Sequence, residues 1–429
     1  MADERFREVA ARAIGIILDL SSRASYRIEV RGLENYTHSP STLVVFNHRR
    51  DDDVPIIANV LFGRRGLFAN DVMPLFVTRE DLFRRGFLRD YLEGWPPLFR
   101  EPLALLDLRP VLWALRAYRM RRVAEMTVGE VLEDVLARFG NLPLDQVLKP
   151  TWVERFEHMA GRKGGRLYIK QALKSRFFPL LHQGYGLTKL TRRQFQALKP
   201  HERAVIESQL QVFVDALERG ETVQMAPEGA ASRDGRFARI RAGLHVLLNR
   251  PRVQVRVLPV AITYDFMTCG RQWAFVNVGP EIPDLRGLPP SETSARVAEA
   301  ILGQSTITAS QLASQMLLAI KSRGGGILTK ARLLEHVTEE ANRWTKAGLY
   351  VDPRLLTREE QVRRLDEYVE YCLRSGELIA REAGGFWVPR ALEQVSANYA
   401  NPGGAIKYIN NELTSLTRLL RNVTLNNTS

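Results

Sequence analysis

Cysteine is nearly absent from this chain of 429 residues, which has only Cys269 and Cys372. Two cysteines cannot build a disulfide framework, and they lack the spaced Cys/His sets of a zinc site. Long apolar runs are missing too. No stretch approaches the roughly 20 consecutive apolar residues needed to cross a bilayer, and the first residues carry no apolar core of a secretory signal. These gaps predict a reducing, cytoplasmic setting in which any membrane contact is peripheral, on the cytoplasmic face. Compositional extremes are also lacking: 45% hydrophobic and 25% charged residues exclude global disorder and fibrous repeats. The length suggests two or three domains. What the chain has in excess is positive charge, a formal net +13. That favours an anionic partner, whether nucleic acid, anionic lipid or a phosphate-bearing substrate, without choosing among them.

Near the start, Phe6, Val9, Ala10, Ala13, Ile16, Ile17 and Leu20 share one face at helical spacing. The face can pack on its own domain, the commoner use, or lie in a lipid interface. Tyr26 to Gly32 alternates like a strand, and Leu43 to Phe46 is an apolar run that stops abruptly at Asn47-His48. Val223 to Ala226, Val253 to Tyr264 and Ala274 to Val278 also read as buried strands, separated by helices such as Glu202 to Leu217. This alternation predicts an α/β fold, a mostly parallel sheet flanked by helices. Sites in such sheets gather beyond the carboxyl ends of strands, which is where His48 and Glu228 fall.

From residue 91 to 164 the strand rhythm gives way to a basic helical insertion that includes Pro110 to Arg122 and Thr127 to Phe139. Arg109, Arg116, Arg119, Arg121 and Arg122 have no acidic residue among them, and suit either a solvated face or anionic lipid heads. Just before them, Trp95 to Phe99 suits a buried turn or an interfacial anchor. The domains are therefore drawn as 1–90 and 165–290 for a split α/β domain, 91–164 for the insertion and 291–429 for a mainly helical C-terminal domain. In the last, helices at Leu312 to Lys321, Ala331 to Trp344 and Arg358 to Leu373 precede a hairpin of Glu377 to Glu382 and Phe386 to Pro389. A winged-helix-like arrangement is compatible with that order. Such a module binds nucleic acid or serves as an interaction unit.

The densest chemistry is His48-Arg49-Arg50-Asp51-Asp52-Asp53. A carboxylate bonded to one imidazole nitrogen fixes the tautomer and stabilises the imidazolium, so the other nitrogen can take a proton from a hydroxyl. Read alone, the motif is more often a salt-bridged surface turn. A metal site would need further ligands than these aspartates, and none is evident. No Gly-x-Ser-x-Gly nucleophile elbow is present.

Four blocks occur in order: Asn47-His48-x4-Asp53; Gly186 to Arg192; Ala226-Pro227-Glu228-Gly229 through Arg236; and Val257 to Tyr264. Together they resemble the ordered motifs of the glycerolipid acyltransferase family, the glycerol-3-phosphate and lysophosphatidic acid acyltransferases. The likeness covers about residues 1–90 and 165–285. It implies a membrane-associated enzyme in which His48, backed by Asp53, deprotonates an acceptor hydroxyl. That hydroxyl attacks the thioester of acyl-CoA or acyl carrier protein, with no acyl-enzyme and no further cofactor or metal. By the same resemblance Lys189 and Arg192 hold the acceptor phosphate, Glu228 and Gly229 shape the acceptor site, Arg233 is a further phosphate ligand, and Pro259 shapes the acyl site. Implied partners are an anionic membrane surface, the acyl donor, and glycerol phosphate or a lysolipid; nucleic acid is not among them.

The chain also departs from the family pattern. Arg50 stands where Ser is usual, Asp51 and Asp52 where apolar residues are usual, and Ala230-Ala231 where Thr-Arg commonly follows Glu-Gly. The extra acids offer His48 competing partners. The missing arginine leaves room for another acceptor, with Arg233, Arg236, Arg239 or Arg241 compensating. The segment Asn398 to Asn401 through Asn411 faintly resembles the tail of the larger glycerol-3-phosphate acyltransferases. Without the resemblance, the rival is a non-catalytic lipid-sensing or nucleic-acid-binding regulator that uses the basic surface and the C-terminal domain.

Overall fold

A computed structural model of the chain describes residues 2–37, 39–63, 73–83, 98, 106–121, 123, 126–161, 166–381, 385–390 and 402–426. Residues 95–97, 99, 122 and 398–401, which the sequence reading singled out, lie outside these. The chain forms two compact units, one of residues 1–77, 110–118 and 213–429 and the other of residues 78–109 and 119–212. The divides drawn from sequence at 90/91, 164/165 and 290/291 all fall inside units.

The first unit is built on a mixed, mostly parallel sheet of seven strands flanked by helices. Helix α1 (Ala2–Ser25) leads into β1 (Tyr26–Arg31); β2 (Thr42–Phe46) is followed by helix α2 (Asp53–Ala58). β3 (Leu75–Arg79), β4 (Ala117–Met120), β5 (Val223–Met225), β6 (Arg256–Asp265) and β7 (Gln272–Val278) complete the sheet, in the order β1-β7-β6-β2-β5-β3-β4. β2 pairs in parallel with both β5 and β6, and only β6 with β7 runs antiparallel among the described registers. β2 and β6 are almost wholly buried, as expected for β-branched runs covered on both faces.

Beyond the sheet come α3 (Pro290–Gly303), β8 (Thr306–Ile307), α4 (Ala309–Ser322), β9 (Gly326–Leu328), α5 (Lys330–Lys346), β10 (Tyr350–Val351), α6 (Arg358–Arg374), β11 (Ile379–Ala380), β12 (Phe386–Val388) and α7 (Pro402–Asn426). β11, β12 and β9 form a small antiparallel sheet. These elements are not separately cored. Val44, Ile57 and Ile262 of the α/β layer belong to one continuous apolar cluster with Leu312, Leu333, Leu365 and Leu413.

The second unit has its own core, where Val131 and Val135 meet Phe156, Phe177 and Leu198. Its helix Val128–Phe139 begins at Thr127 with a capping box to Glu130, a signal carried by the sequence itself.

Two segments differ from their sequence patterns. Pro110 to Arg122 is not one helix: a short helix ends at Ala114, Arg116 takes φ 53°, and the chain then joins the sheet as β4. Tertiary pairing wins over helical propensity here, because the Phe76 amide bonds the Arg116 carbonyl and the Arg116 guanidinium bonds Met73 and Glu221. Nor is the run unpaired, since Arg109 meets Asp107 and Arg121 meets Asp134. In α1, the small residues Ala11, Gly15 and Ser22 turn inward, while Phe6, Val9, Ile17 and Leu20 stay 63–68% exposed. These four side chains therefore do not pack on their own domain, whereas Ile14 and Leu18 are half-buried.

Candidate active site

His48 sits just past the carboxyl end of β2, with β6 on one side and β5 on the other. Asn47 sets that exit: its side-chain amide donates to the Ile262 carbonyl and accepts from the Ile262 amide, 2.8 Å each, extending the β2–β6 ladder by one side chain. The His48 amide then donates to Glu228 (2.9 Å), and the His48 carbonyl accepts from the Ser232 amide (2.8 Å). The imidazole is thus held by backbone on both sides.

Asp53 opens α2 and is fully buried. Its Oδ2 lies 3.0 Å from His48 Nδ1 and accepts the backbone N–H of Arg49 and of Arg50 (2.8 Å for the latter), while its Oδ1 accepts the Tyr264 hydroxyl at 2.6 Å. These contacts fix the orientation of the carboxylate towards the ring. A carboxylate facing Nδ1 favours the tautomer with its proton on that nitrogen, which leaves the lone pair on Nε2. It meets no hydrogen-bond partner among the described residues.

The neighbouring acids do not compete for the ring. Asp52 accepts the Tyr26 hydroxyl at 2.6 Å, and Asp51 is exposed. Burial, helped by the hydrogen bond to Asp52, pushes Tyr26 up to about 12, against the pull of Arg50. Arg50 forms a wall: its guanidinium lies 4.6 Å over Tyr264 and 4.8 Å over Phe266, and Nη1 donates to Gln272 at 2.7 Å.

Glu228 follows β5 in the turn Ala226 to Gly229. Both carboxylate oxygens are used, one by the His48 amide and the other by the Ala238 amide at 2.6 Å. Burial raises its pKa, opposed by Arg49 and those two donors. Gly229 has φ 78°, and a Cβ there would lie 3.3 Å from the Arg241 side chain, so glycine suits the turn. Arg233, Arg236 and Arg239 are exposed on the loop that follows. Pro259 is buried in β6 opposite Val45, inside the sheet and not at its edge.

Lys189 and Arg192 belong to the second unit. Lys189 ends a turn of 3-10 helix with its ammonium 5.3 Å over the Trp152 ring, and Arg192 starts the long helix Arg192–Glu218 with its side chain exposed. The first unit therefore brings together His48, Asp53, Glu228 and Gly229, with Arg233 on the adjoining loop. Sequence reasoning missed Tyr264 as a ligand of Asp53, although it closes the fourth motif. It also missed Arg49, Tyr408 and Glu412, which interact behind the imidazole. Among the described residues no group of three or more His, Cys, Asp or Glu is arranged to hold a metal, and no helix is long and apolar enough to cross a membrane.

No family model and no curated protein match the chain. Among solved structures, it is similar to the crystal structure of the 1-acyl-sn-glycerophosphate (LPA) acyltransferase PlsC from Thermotoga maritima. The identity is 14% and the TM-score 0.32, over 68% of this chain and 76% of that one. A likeness of that degree fixes neither fold nor activity.

Proposed function

We propose that the protein is an O-acyltransferase that moves a fatty acyl chain from a thioester, acyl-CoA or acyl carrier protein, to the hydroxyl of a glycerol phosphate or lysolipid acceptor. The observation that carries this reading is His48 with Nδ1 tied to the buried Asp53 and Nε2 unbonded, beyond the end of a central strand. Nε2 removes the acceptor hydroxyl proton as the oxygen attacks the thioester carbonyl, and Asp53 stabilises the imidazolium. Collapse of the tetrahedral intermediate breaks the C–S bond, and the proton passes from His48 to the leaving thiolate. The ordered motifs supply the substrate side of the proposal.

Glu228 acts by holding the backbone of the catalytic histidine, and Gly229 by turning the loop that presents Arg233 and Arg239. These exposed guanidiniums suit a phosphate in place of the missing Thr-Arg. Lys189 and Arg192 are assigned to the acceptor phosphate by resemblance, and Pro259 to the acyl site. The exposed apolar stripe of α1 suits a lipid interface, with Arg7 and Arg12 on the same helix for anionic heads.

A nucleic-acid role is disfavoured by α6. The order α4-β9-α5-α6-β11-β12 is compatible with a winged-helix-like arrangement, but Arg364 of α6 is buried against Asp265 of β6 at 2.6 Å, and α6 carries more acidic than basic residues. The test is transfer of radiolabelled acyl groups to glycerol 3-phosphate, lysophosphatidic acid and a lysolipid panel by wild type and His48→Ala. Product from wild type alone establishes the reaction and its acceptor. Equal product from the folded variant would reject His48 as base.

A further inference from the structure

The residues behind His48 form a second construction that catalysis by the His–Asp pair does not by itself require. Arg49 is buried with its side chain only 4% exposed; Nη1 donates to the Gly235 carbonyl at 2.7 Å, and Nε lies 3.4 Å from Glu412, itself equally buried. Glu412 also accepts from Gln311 at 3.1 Å, and Gln311 forms the capping box that starts α4. On the same side of α7, the Tyr408 hydroxyl donates to the Arg49 carbonyl (3.3 Å), Asn411 donates to the Asp234 carbonyl (2.8 Å), and Ser415 accepts the Phe237 amide (3.2 Å). Positions 408, 411, 412 and 415 are spaced three or four apart and so fall on one helical face. That face touches both loops flanking the histidine, residues 48–50 and 234–237. Gly235 is pressed so close that a Cβ would stand 2.0 Å from the Tyr408 carbonyl oxygen.

We infer that α7 is a clamp that sets the catalytic loop against the 234–237 loop, and that Glu412 is a positioning residue for transfer, acting through Arg49. The inference rests on the acyltransferase reading for its kinetic part alone. Arg49 links the ends of the device: its guanidinium answers Glu412, and its amide N–H is one of the four donors to Asp53. Buried ion pairs add little net stability, but loss of one partner strands the other charge, so the pair acts as a register device. Without Glu412 the Arg49 guanidinium must seek water, and the loop carrying His48 moves with it.

The experiment compares full-length wild type with Glu412→Gln, Tyr408→Phe and Asn411→Ala. It measures kcat, KM for acyl-CoA and hydrogen–deuterium exchange of peptides covering 47–53 and 232–238. Glu412→Gln is expected to lower kcat about 10-fold or more, the scale of a sub-ångström misplacement, with KM changed less than about threefold. Exchange should accelerate in those two peptides while the central strands keep their protection. Tyr408→Phe and Asn411→Ala should shift both readouts in the same direction by less, and they carry the test if Glu412→Gln does not fold. Unchanged loop exchange, uniformly raised exchange, or a folded Glu412→Gln with kcat within twofold of wild type overturns the clamp. If wild type transfers no acyl group, the function reading fails, and loop-confined exchange still decides the clamp.

Discussion

Replacing Asp53 by Asn removes a charge while leaving most of the geometry in place. An amide oxygen in the position of Oδ2 keeps the bonds from His48, Arg49 and Arg50, and the amide nitrogen can donate to the Tyr264 hydroxyl. The fold should therefore survive. The imidazolium that forms during proton transfer loses its counter-charge at 3.0 Å. Two unit charges at that separation attract by about 5 kcal/mol at an effective dielectric constant near 20, and a hydrogen bond to a charged group contributes about 1.5–3 kcal/mol. A loss of about 2–5 kcal/mol felt only in the transition state lowers kcat about 30- to 5,000-fold, with KM nearly unchanged. Steady-state acyl transfer by the purified variant, with circular dichroism to verify folding, measures this. Asp51→Asn and Asp52→Asn serve as matched controls: Asp51 is exposed and Asp52 serves Tyr26, so both should stay within about threefold of wild type. A folded Asp53→Asn enzyme with more than a third of wild-type kcat, or an Asp52→Asn loss as large as that of Asp53→Asn, would refute the pairing.

Gly235→Ala places a side chain at φ 85° and into the Tyr408 carbonyl, and is expected to cost about 3 kcal/mol or more, read as a lower urea midpoint; an unchanged midpoint would mean that α7 does not rest there. Changing Phe6, Ile17 and Leu20 together to Ser should weaken sedimentation with anionic vesicles about 100-fold, from about 1 kcal/mol per partly immersed side chain, without altering thermal stability because all three are exposed. Equal vesicle binding by the variant would remove α1 from the membrane reading. Burial pushes the Cys372 thiol up to about 12, so near pH 9 it is almost wholly protonated when folded and substantially ionised when unfolded. The sign follows: its contribution to stability is complete below the unfolded pKa and is lost as pH rises through about 12. Native alkylation at pH 9 followed by mass spectrometry should leave Cys372 unmodified, and rapid labelling there would contradict its burial.

Much of this organisation was legible in local sequence. The abrupt end of Leu43 to Phe46 at Asn47-His48 marked a strand with polar chemistry at its exit, and the sheet follows that pattern. The helical stretch drawn at Thr127 to Phe139 forms the helix Val128–Phe139, and the helices Lys330–Lys346 and Arg358–Arg374 match their apolar spacing to within a residue or two. These are short-range signals, set by the pleat, the helical repeat and side chains that cap the adjacent backbone. Other features depend on partners distant in the chain. Pairing of β4 to β3 overrode a helical pattern near Arg116, and acids from Asp107 to Glu221 neutralised arginines that look unpaired in sequence. Apart from the motif spacing that singles out Asp53, three adjacent aspartates are equivalent on paper. Which one serves His48 depends on backbone N–H groups and a tyrosine 211 residues away converging on Asp53, while Tyr26 takes Asp52. By itself the sequence determined most of the elements, though not β3 or β4, and the residue types that meet at the strand ends, because those follow from neighbours within a turn or two. Only the tertiary structure decided which charges are paired, which apolar face of α1 is left outside, and that Glu412 stands behind His48, because each depends on desolvation and on contacts that close only when distant segments meet.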